Sequence, residues 1–215
     1  MPLWRISAGD GSVPWLLGMM GTMNLWTFAN VISGSRIALS PVFILCFVYG
    51  GRGGKMVAFV IACLFEITDV VDGFIARSRR EVSDVGKLLD PFADSISRLS
   101  VFLCLLADRY VPVWMVALIF YRDALVSYLR IGAARYAVVM AARLSGKIKA
   151  IVQGFATVGI TFLIAARGYE WISWSVPDIA QRAMTVVVVV TLWSALDYLY
   201  GFSRIMRRSN PSSKS

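Results

Sequence analysis

The 215-residue chain is 58% hydrophobic and only 16% charged, and its formal net charge is +9. Soluble domains are less apolar and carry about a quarter charged residues, so the composition excludes an ordinary soluble protein and indicates an integral membrane protein. The chain contains no histidine, which excludes Ser-His-Asp catalysis, histidine-ligated metal sites and histidine proton relays.

The first 29 residues precede the long apolar runs and include the stretch VPWLLGMMGTMNLWTFAN. Tryptophan, leucine and methionine recur there close to helical spacing, which predicts an amphipathic helix lying in the membrane interface. A seventh transmembrane span is the alternative interpretation, although Gly18 and Gly21 interrupt the run. No basic stretch followed by a clean apolar run is present, so we expect no cleavable signal peptide.

Six apolar runs follow, each long enough at about 18–24 residues to cross the hydrocarbon core as a helix. We predict an all-α, polytopic membrane protein: one domain over residues 1–205, with a six-helix bundle over 30–205 and a polar tail over 206–215. The three cysteines are isolated within these runs, which indicates neither a disulfide framework nor a zinc cluster. The predicted spans are 31–50, 55–76, 87–107, 111–131, 148–167 and 181–203.

Basic residues are unevenly distributed among the connections between these spans. They concentrate between the second and third spans, between the fourth and fifth, and after the sixth, which the positive-inside rule assigns to the cytoplasm. We therefore expect an integral protein of the cell membrane with both termini in the cytoplasm. The positive charge suits anionic lipid headgroups. Because the charges follow the membrane topology, no nucleic-acid partner is expected.

Four aspartates interrupt the apolar pattern where the second span ends and the third begins. Asp69 and Asp72 are three residues apart, and Asp90 and Asp94 are four apart, so each pair shares a helix face. A hairpin between the two spans brings both pairs together near the cytoplasmic surface. Carboxylate clusters of this kind suit Mg²⁺ or Mn²⁺, and paired divalent cations commonly stabilise phosphoryl transfer.

Neighbouring residues fit a phosphate-containing ligand. Gly73 and Gly86 remove side chains beside the aspartates, and Arg77 offers a fork of donors suited to phosphate oxygens. These residues favour a metal-dependent site for a phosphate ester at the membrane surface. A cation pathway in a transporter and purely structural ion pairing are the alternatives that the residues leave open.

The order D-x2-D-G-x2-A-R-x8-G-x3-D-x3-D resembles the signature of the CDP-alcohol phosphotransferase family. The resemblance implies a six-helix membrane enzyme, commonly a homodimer, that transfers a substituted phosphate from a CDP-linked donor to an alcohol and releases CMP. The signature is met without a gap by Asp69, Asp72, Gly73, Ala76, Arg77, Gly86, Asp90 and Asp94.

The same resemblance implies roles for individual residues. Two divalent cations, Mg²⁺ or Mn²⁺, would be held by Asp69, Asp72, Asp90 and Asp94. Asp94 would also act as the general base on the acceptor hydroxyl. The residues expected at the CDP-linked donor are Asn30, Asp69, Gly73, Ala76, Arg77 and Gly86.

Three further segments, ANVISGSRIALSPVF, YRDALVSYLR and LSGKIKAIVQ, are similar to bacterial phosphatidylglycerophosphate synthases. They imply CDP-diacylglycerol as the donor and sn-glycerol 3-phosphate as the acceptor. Two differences stand against this pattern: Asp123 replaces a glutamate, and Ser95 follows Asp94 where those enzymes carry lysine. A cardiolipin synthase using phosphatidylglycerol and a phosphatidylinositol phosphate synthase therefore remain alternatives. The implied acceptor-phosphate site consists of Arg122, Arg130, Lys147 and Lys149.

Overall fold

The computed structural model describes residues 28–79, 86–135 and 143–209, with side chains over 30–71, 89–133 and 143–204. Within these ranges all regular structure is helical, as predicted, and no strand occurs. The predicted interfacial segment covers residues 1–29, of which 1–27 lie outside the described residues and the last two belong to the first helix. The helices are α1 (Phe28–Tyr49), α2 (Gly51–Arg79), α3 (Gly86–Ala107), α4 (Val113–Arg135), α5 (Leu144–Gly168) and α6 (Val176–Ser209).

Each predicted span overlaps one of these helices, but α2 and α6 extend furthest beyond their apolar runs. The second helix continues to Arg79, and α6 begins at Val176 and extends to Ser209, into the predicted polar tail. Hydropathy locates the apolar part of a helix and not its ends, because backbone hydrogen bonding continues into polar sequence.

Three helices of the described part are long and apolar enough to cross a bilayer: Asn30–Tyr49, Leu144–Gly168 and Val176–Arg204. The other three helices, α2, α3 and α4, carry charged side chains inside their apolar runs. Large apolar side chains are exposed along the helix surfaces, for example Leu45, Phe155 and Leu196. Such extensive apolar exposure suits contact with lipid.

The turn between α1 and α2 is unusually tight. Gly50 N–H donates to the carbonyl oxygen of Cys46 at 3.1 Å, and Gly54 N–H donates to that of Gly50 at 2.8 Å. Gly51 adopts φ +58°, a conformation that favours glycine. A Cβ atom at Gly54 would lie 2.2 Å from the Cys46 carbonyl oxygen. Glycines therefore allow α2 to reverse direction directly against the end of α1.

Among the described helices, α3 packs mainly on α1 and is open toward α4. The first helix packs on α2 and α3, α5 packs on α2 and α6, and α4 packs mainly on α6, whereas α3 and α4 barely touch. The core includes a cluster of aromatic rings, in which Phe43 lies 5.8 Å from Phe47 and 6.1 Å from Phe65 between ring centroids. The gap between α3 and α4 lies beside Asp94 and Asp123.

Ion pairs identify one end of the bundle. Lys55 Nζ lies 3.0 Å from Asp108 Oδ2, and Arg52 Nη2 lies 3.8 Å from Glu170 Oε1. The turns that follow α1, α3 and α5 therefore share this end. Trp171 is exposed there, in the turn after α5, as expected for an aromatic residue at a membrane interface. The aspartates of α2 and α3 lie toward the opposite end.

Candidate active site

Arg98 brings two of the predicted aspartates together. Its Nη2 lies 3.0 Å from Asp94 Oδ1 on the same helix and 3.8 Å from Asp69 Oδ2 on α2. The Arg98 side chain is only 11% exposed, whereas Asp69 and Asp94 are 39% and 33% exposed. A nearly buried guanidinium thus offsets the repulsion between two carboxylates that remain accessible from outside.

The first helix supplies a second set of contacts to the aspartates. Arg36 Nη1 donates to Asp69 Oδ1 at 2.9 Å, and the Ser33 hydroxyl donates to Asp90 Oδ1. Together with Asn30, these side chains form a buried polar stripe with three-residue spacing on α1. The contact of Ser33 with Asp90 was not predicted from the sequence, although polar residues at helical spacing in an apolar run are a usable signal.

The remaining signature residues are placed only by their backbone. Asp72, Gly73, Ala76 and Arg77 lie in the last turns of α2, and Gly86 begins α3. Their side chains lie outside the described part, and their predicted roles stay predictions. Asp72 follows Asp69 by three residues of continuous helix, so the two share a face.

The described carboxylates fit hard divalent cations in their donor chemistry. Asp69, Asp90 and Asp94 offer oxygen atoms, which Mg²⁺ and Mn²⁺ prefer, and their partial exposure leaves room for a ligand. Among the side chains that the structure describes, no group of three or more potential ligands is already gathered around one point. The cation Arg98 now lies between two of the carboxylates.

Two predicted acceptor residues, both buried, meet at the partly exposed carboxylate of Asp123. Lys149 Nζ lies 2.9 Å from both carboxylate oxygens of Asp123, and Arg122 Nη1 lies 2.9 Å from Oδ1. Arg122 Nη2 also donates to Ser194 Oγ at 2.5 Å. Asp123 thus compensates part of the charge of two buried cations, a role that its place in the sequence did not reveal.

Tyr198 organises the neighbouring cations. Its hydroxyl accepts hydrogen bonds from Arg130 Nη2 at 2.9 Å and from the backbone N–H of Arg143 at 3.2 Å. The guanidinium carbons of Arg122 and Arg130 lie 5.3 and 5.5 Å from its ring centroid, within cation–π range. A Cβ at Gly146 would lie 2.9 Å from the Tyr198 hydroxyl oxygen, so the glycine makes room for this ring.

The outer edge of this region contains one more ion pair. Arg143 Nη2 lies 2.6 Å from Asp197 Oδ1, and Ser145 Oγ donates to Asp197 Oδ2 at 2.5 Å. Lys147, the remaining predicted acceptor residue, is exposed. Sequence analysis missed Asp197 and Tyr198, although an adjacent acidic and phenolic residue inside the last apolar run is an identifiable signal.

A cavity of about 340 Å³ lies in the gap between α3 and α4. Apolar side chains such as Phe102 and Ile119 form most of its wall. Asp94 and Asp123 both line it, so it extends from the aspartate pair to the cation cluster. Its polar lining residues are Asp94, Ser95, Arg98, Asp123, Ser127 and Gln153.

Residues 26–199 match the family of CDP-alcohol phosphatidyltransferases. A CDP-diacylglycerol–glycerol-3-phosphate 3-phosphatidyltransferase of Treponema pallidum is 32% identical over 163 residues, covering 72% of this chain and 75% of the relative. A probable phosphatidylglycerophosphate synthase of Mycobacterium tuberculosis is 29% identical over 200 residues, covering 91% of this chain and 90% of the relative. A CDP-diacylglycerol–glycerol-3-phosphate 3-phosphatidyltransferase of Bacillus subtilis is 30% identical over 184 residues, covering 79% of this chain and 93% of the relative.

Proposed function

The chain belongs to the CDP-alcohol phosphatidyltransferase family, and we propose that it transfers the phosphatidyl group of CDP-diacylglycerol to sn-glycerol 3-phosphate. The products are phosphatidylglycerophosphate and CMP, which places the reaction in phospholipid biosynthesis. Relatives named for this reaction align with most of the chain. The observation that carries the proposal is the pairing of Asp69 with Asp94 at Arg98, next to a cavity that extends to a cluster of cations.

The donor diphosphate binds at the aspartates. Asp69, Asp72, Asp90 and Asp94 hold two divalent cations, Mg²⁺ or Mn²⁺, which supply positive charge to the transferring phosphate and the CMP leaving group. Arg36 and Ser33 orient Asp69 and Asp90 from α1. The further donor contacts come from Asn30, Gly73, Ala76, Arg77 and Gly86.

Asp94 is the general base of the reaction. It takes the proton from the acceptor hydroxyl, whose oxygen forms a bond to the β-phosphorus while the bond to the CMP oxygen breaks. The Asp94 carboxylate lies 3.0 Å from Arg98 and borders the cavity. Asp94 contributes mainly by holding the acceptor hydroxyl at the correct distance and angle. The position of its carboxylate matters more for the reaction than its basicity.

The acceptor phosphate binds among the cations. Arg122, Arg130, Lys147 and Lys149 provide charge and hydrogen-bond donors for a dianion. Asp123 neutralises only part of this charge, and Tyr198 holds Arg130 toward the cluster. The supporting observation is that three of the four cations meet at Asp123 and Tyr198.

The enzyme acts at the cytoplasmic face of the cell membrane. Six helices cross the bilayer, residues 1–29 lie in the interface, and both termini face the cytoplasm. Residues 1–205 form a single domain, which assembles as a homodimer, and residues beyond 205 form the tail. The donor enters sideways, so that its acyl chains stay in the lipid. The distribution of basic residues between the loops and the exposed apolar helix surfaces support this arrangement.

A different acceptor within the same family is the second candidate. Ser95, not lysine, follows Asp94, and it lines the cavity in which the acceptor would lie. This favours a test of phosphatidylglycerol, as in cardiolipin synthesis, and of inositol phosphate. The catalytic role of the aspartates is the same in each case.

The test is CMP release by purified protein supplied with CDP-diacylglycerol and Mg²⁺ or Mn²⁺. Separate reactions contain glycerol 3-phosphate, phosphatidylglycerol, inositol, inositol phosphate or serine, with EDTA as the control. We expect metal-dependent release with glycerol 3-phosphate alone. Release with a different acceptor only would reassign the acceptor site, and no release with any acceptor from folded protein would contradict the proposal.

A further inference from the structure

Gln153 on α5 is fully buried, at 0% exposure, yet only half of its amide has a partner. Its Oε1 accepts a hydrogen bond from Arg98 Nη1 at 3.5 Å. Its Nε2 is buried without a hydrogen-bond partner among the described residues. Exchanging the positions of Oε1 and Nε2 would place the amide donor against the guanidinium donor of Arg98. The contact with Arg98 therefore determines that Nε2 is the atom without a partner.

Burying a hydrogen-bond donor without a partner costs free energy, which indicates that a ligand accepts a hydrogen bond from Nε2. Leaving such a group unsatisfied costs much of its hydration free energy. Gln153 lines the cavity between α3 and α4, whose neighbouring wall includes Phe102 and Ile119. These apolar side chains offer no acceptor, and none of the described polar side chains that line the cavity bonds to Nε2, so a molecule in the cavity is the available partner.

The position of Gln153 indicates which part of the ligand it meets. One guanidinium, that of Arg98, binds Asp94 through Nη2 at 3.0 Å and Gln153 through Nη1 at 3.5 Å. The carboxylate and the amide are therefore bridged by one guanidinium. Both residues line the same cavity, so one ligand in it can meet the carboxylate and the amide.

We propose that Gln153 is an acceptor-binding residue whose Nε2 donates a hydrogen bond to the hydroxyl adjacent to the reacting hydroxyl. The inference rests on the proposed function and deepens it, because it assigns recognition of a vicinal diol to this chain. Arg98 is the positioning residue that holds the amide in the required orientation. For sn-glycerol 3-phosphate, the recognised group is the hydroxyl on the middle carbon.

The experiment compares two acceptors in two proteins. Wild type and Gln153→Leu are assayed for CMP release with sn-glycerol 3-phosphate and with 3-hydroxypropyl phosphate, which lacks the middle hydroxyl. For wild type we expect the apparent KM to be roughly 3- to 10-fold higher for the deoxy compound, as for the loss of one hydrogen bond. For Gln153→Leu we expect nearly equal KM values, with kcat largely preserved.

Thr191→Val is the matched control. Thr191 is also fully buried, and its hydroxyl lacks a partner among the described residues, but it does not line the cavity. Its substitution should leave the wild-type preference for the middle hydroxyl intact. Thermal unfolding shows whether each variant is folded, and Gln153→Met replaces Gln153→Leu if the branched side chain prevents folding.

The outcomes separate this inference from the proposed function. Equal discrimination in wild type and the Gln153 variant would overturn the inference and leave the proposed function standing. A fall in kcat with unchanged KM would also overturn it, since Gln153 would then act only through Arg98 and Asp94. If wild type uses a different alcohol, the variant must raise the KM for that alcohol, and an unchanged KM would again overturn the inference.

Discussion

Asp94 lies where a carboxylate is both accessible and held in place. It is 33% exposed, and Arg98 contacts one of its oxygens at 3.0 Å. Asparagine has the same shape and retains an oxygen for this contact, but it cannot take a proton. The substitution therefore removes the proton acceptor and keeps an oxygen for the contact with Arg98.

We expect Asp94→Asn to lower turnover by about 10²- to 10⁴-fold, the usual contribution of a general base. Much of the donor binding should survive, because Asp69, Asp72 and Asp90 remain. CMP release measures the first effect, and stabilisation of the protein by CDP-diacylglycerol measures the second. Turnover close to that of wild type would remove Asp94 from its assigned role.

Arg98 is expected to stabilise the metal-free protein. Removing a buried cation from two carboxylates costs ~3–5 kcal/mol in fully buried pairs, and partial exposure of Asp69 and Asp94 reduces this to ~2 kcal/mol. Arg98→Gln should therefore lower the melting temperature in EDTA by about 4–8 °C. The loss should be smaller with Mg²⁺, since bound cations then offset the carboxylate charge.

The exposed Arg182 on α6 provides the control for this measurement. Arg182→Gln should change the melting temperature little with or without Mg²⁺, as for most surface substitutions. Equal melting temperatures for Arg98→Gln and wild type in EDTA would show that Arg98 does not hold the aspartates together.

At the scale of helices, hydropathy predicted every described element but not its length. The six apolar runs each correspond to one helix, because an apolar run of this length favours a continuous helix in lipid. The ends of α2 and α6 lie at polar residues such as Arg79 and Ser209, which are outside the apolar runs that hydropathy detects. The tight turn at Gly51 was located only as a break between two spans.

The turn between α1 and α2 allows a matched pair of substitutions. A Cβ at Gly54 would lie 2.2 Å from the backbone carbonyl oxygen of Cys46, whereas a Cβ at Gly53 would meet nothing within 4 Å. Gly54→Ala should destabilise the protein by ~1–3 kcal/mol through this overlap. Gly53→Ala should be neutral or stabilising by up to ~1 kcal/mol, because alanine favours helix.

Thermal unfolding of the two alanine variants under one set of conditions measures the difference. We expect the melting temperature of Gly54→Ala to be clearly below that of Gly53→Ala. The same melting temperature for both would mean that α1 and α2 do not approach as closely as the structure shows.

At the scale of the whole molecule, the candidate site divides into a predictable and an unpredictable part. Regular spacing within α2 and α3 predicted that Asp69 and Asp94 meet, because each helix presents one acidic face. The contacts of Gln153 with Arg98 and of Tyr198 with Arg130 join helices far apart in sequence. Such contacts depend on how the helices pack, which residue spacing within one helix does not specify.

The proposed topology makes the two ends of the bundle chemically distinguishable. In a background where the three cysteines are replaced by alanine, Ser173→Cys lies in the exposed turn after α5 and Arg204→Cys lies near the end of α6. In intact cells, a membrane-impermeant maleimide should label position 173 and not position 204. Permeabilised cells should show labelling at both positions, and the cysteine-free protein should show none.

Labelling at position 204 in intact cells would place the C-terminal end outside and contradict the positive-inside assignment. Because both substituted positions are exposed in the structure, failure to label one of them reflects the membrane barrier and not burial in the protein.

The most direct measurement for the account is the identity of the lipid product. Purified wild type and Asp94→Asn, each in nanodiscs with Mg²⁺ or Mn²⁺, are incubated with CDP-diacylglycerol and sn-glycerol 3-phosphate, and the lipids are analysed by mass spectrometry. We expect phosphatidylglycerophosphate in amounts equal to the released CMP with wild type, about 10²- to 10⁴-fold less of both products with Asp94→Asn, and neither product in EDTA. Release of CMP without this lipid, or equal product from the Asp94→Asn variant, would contradict it.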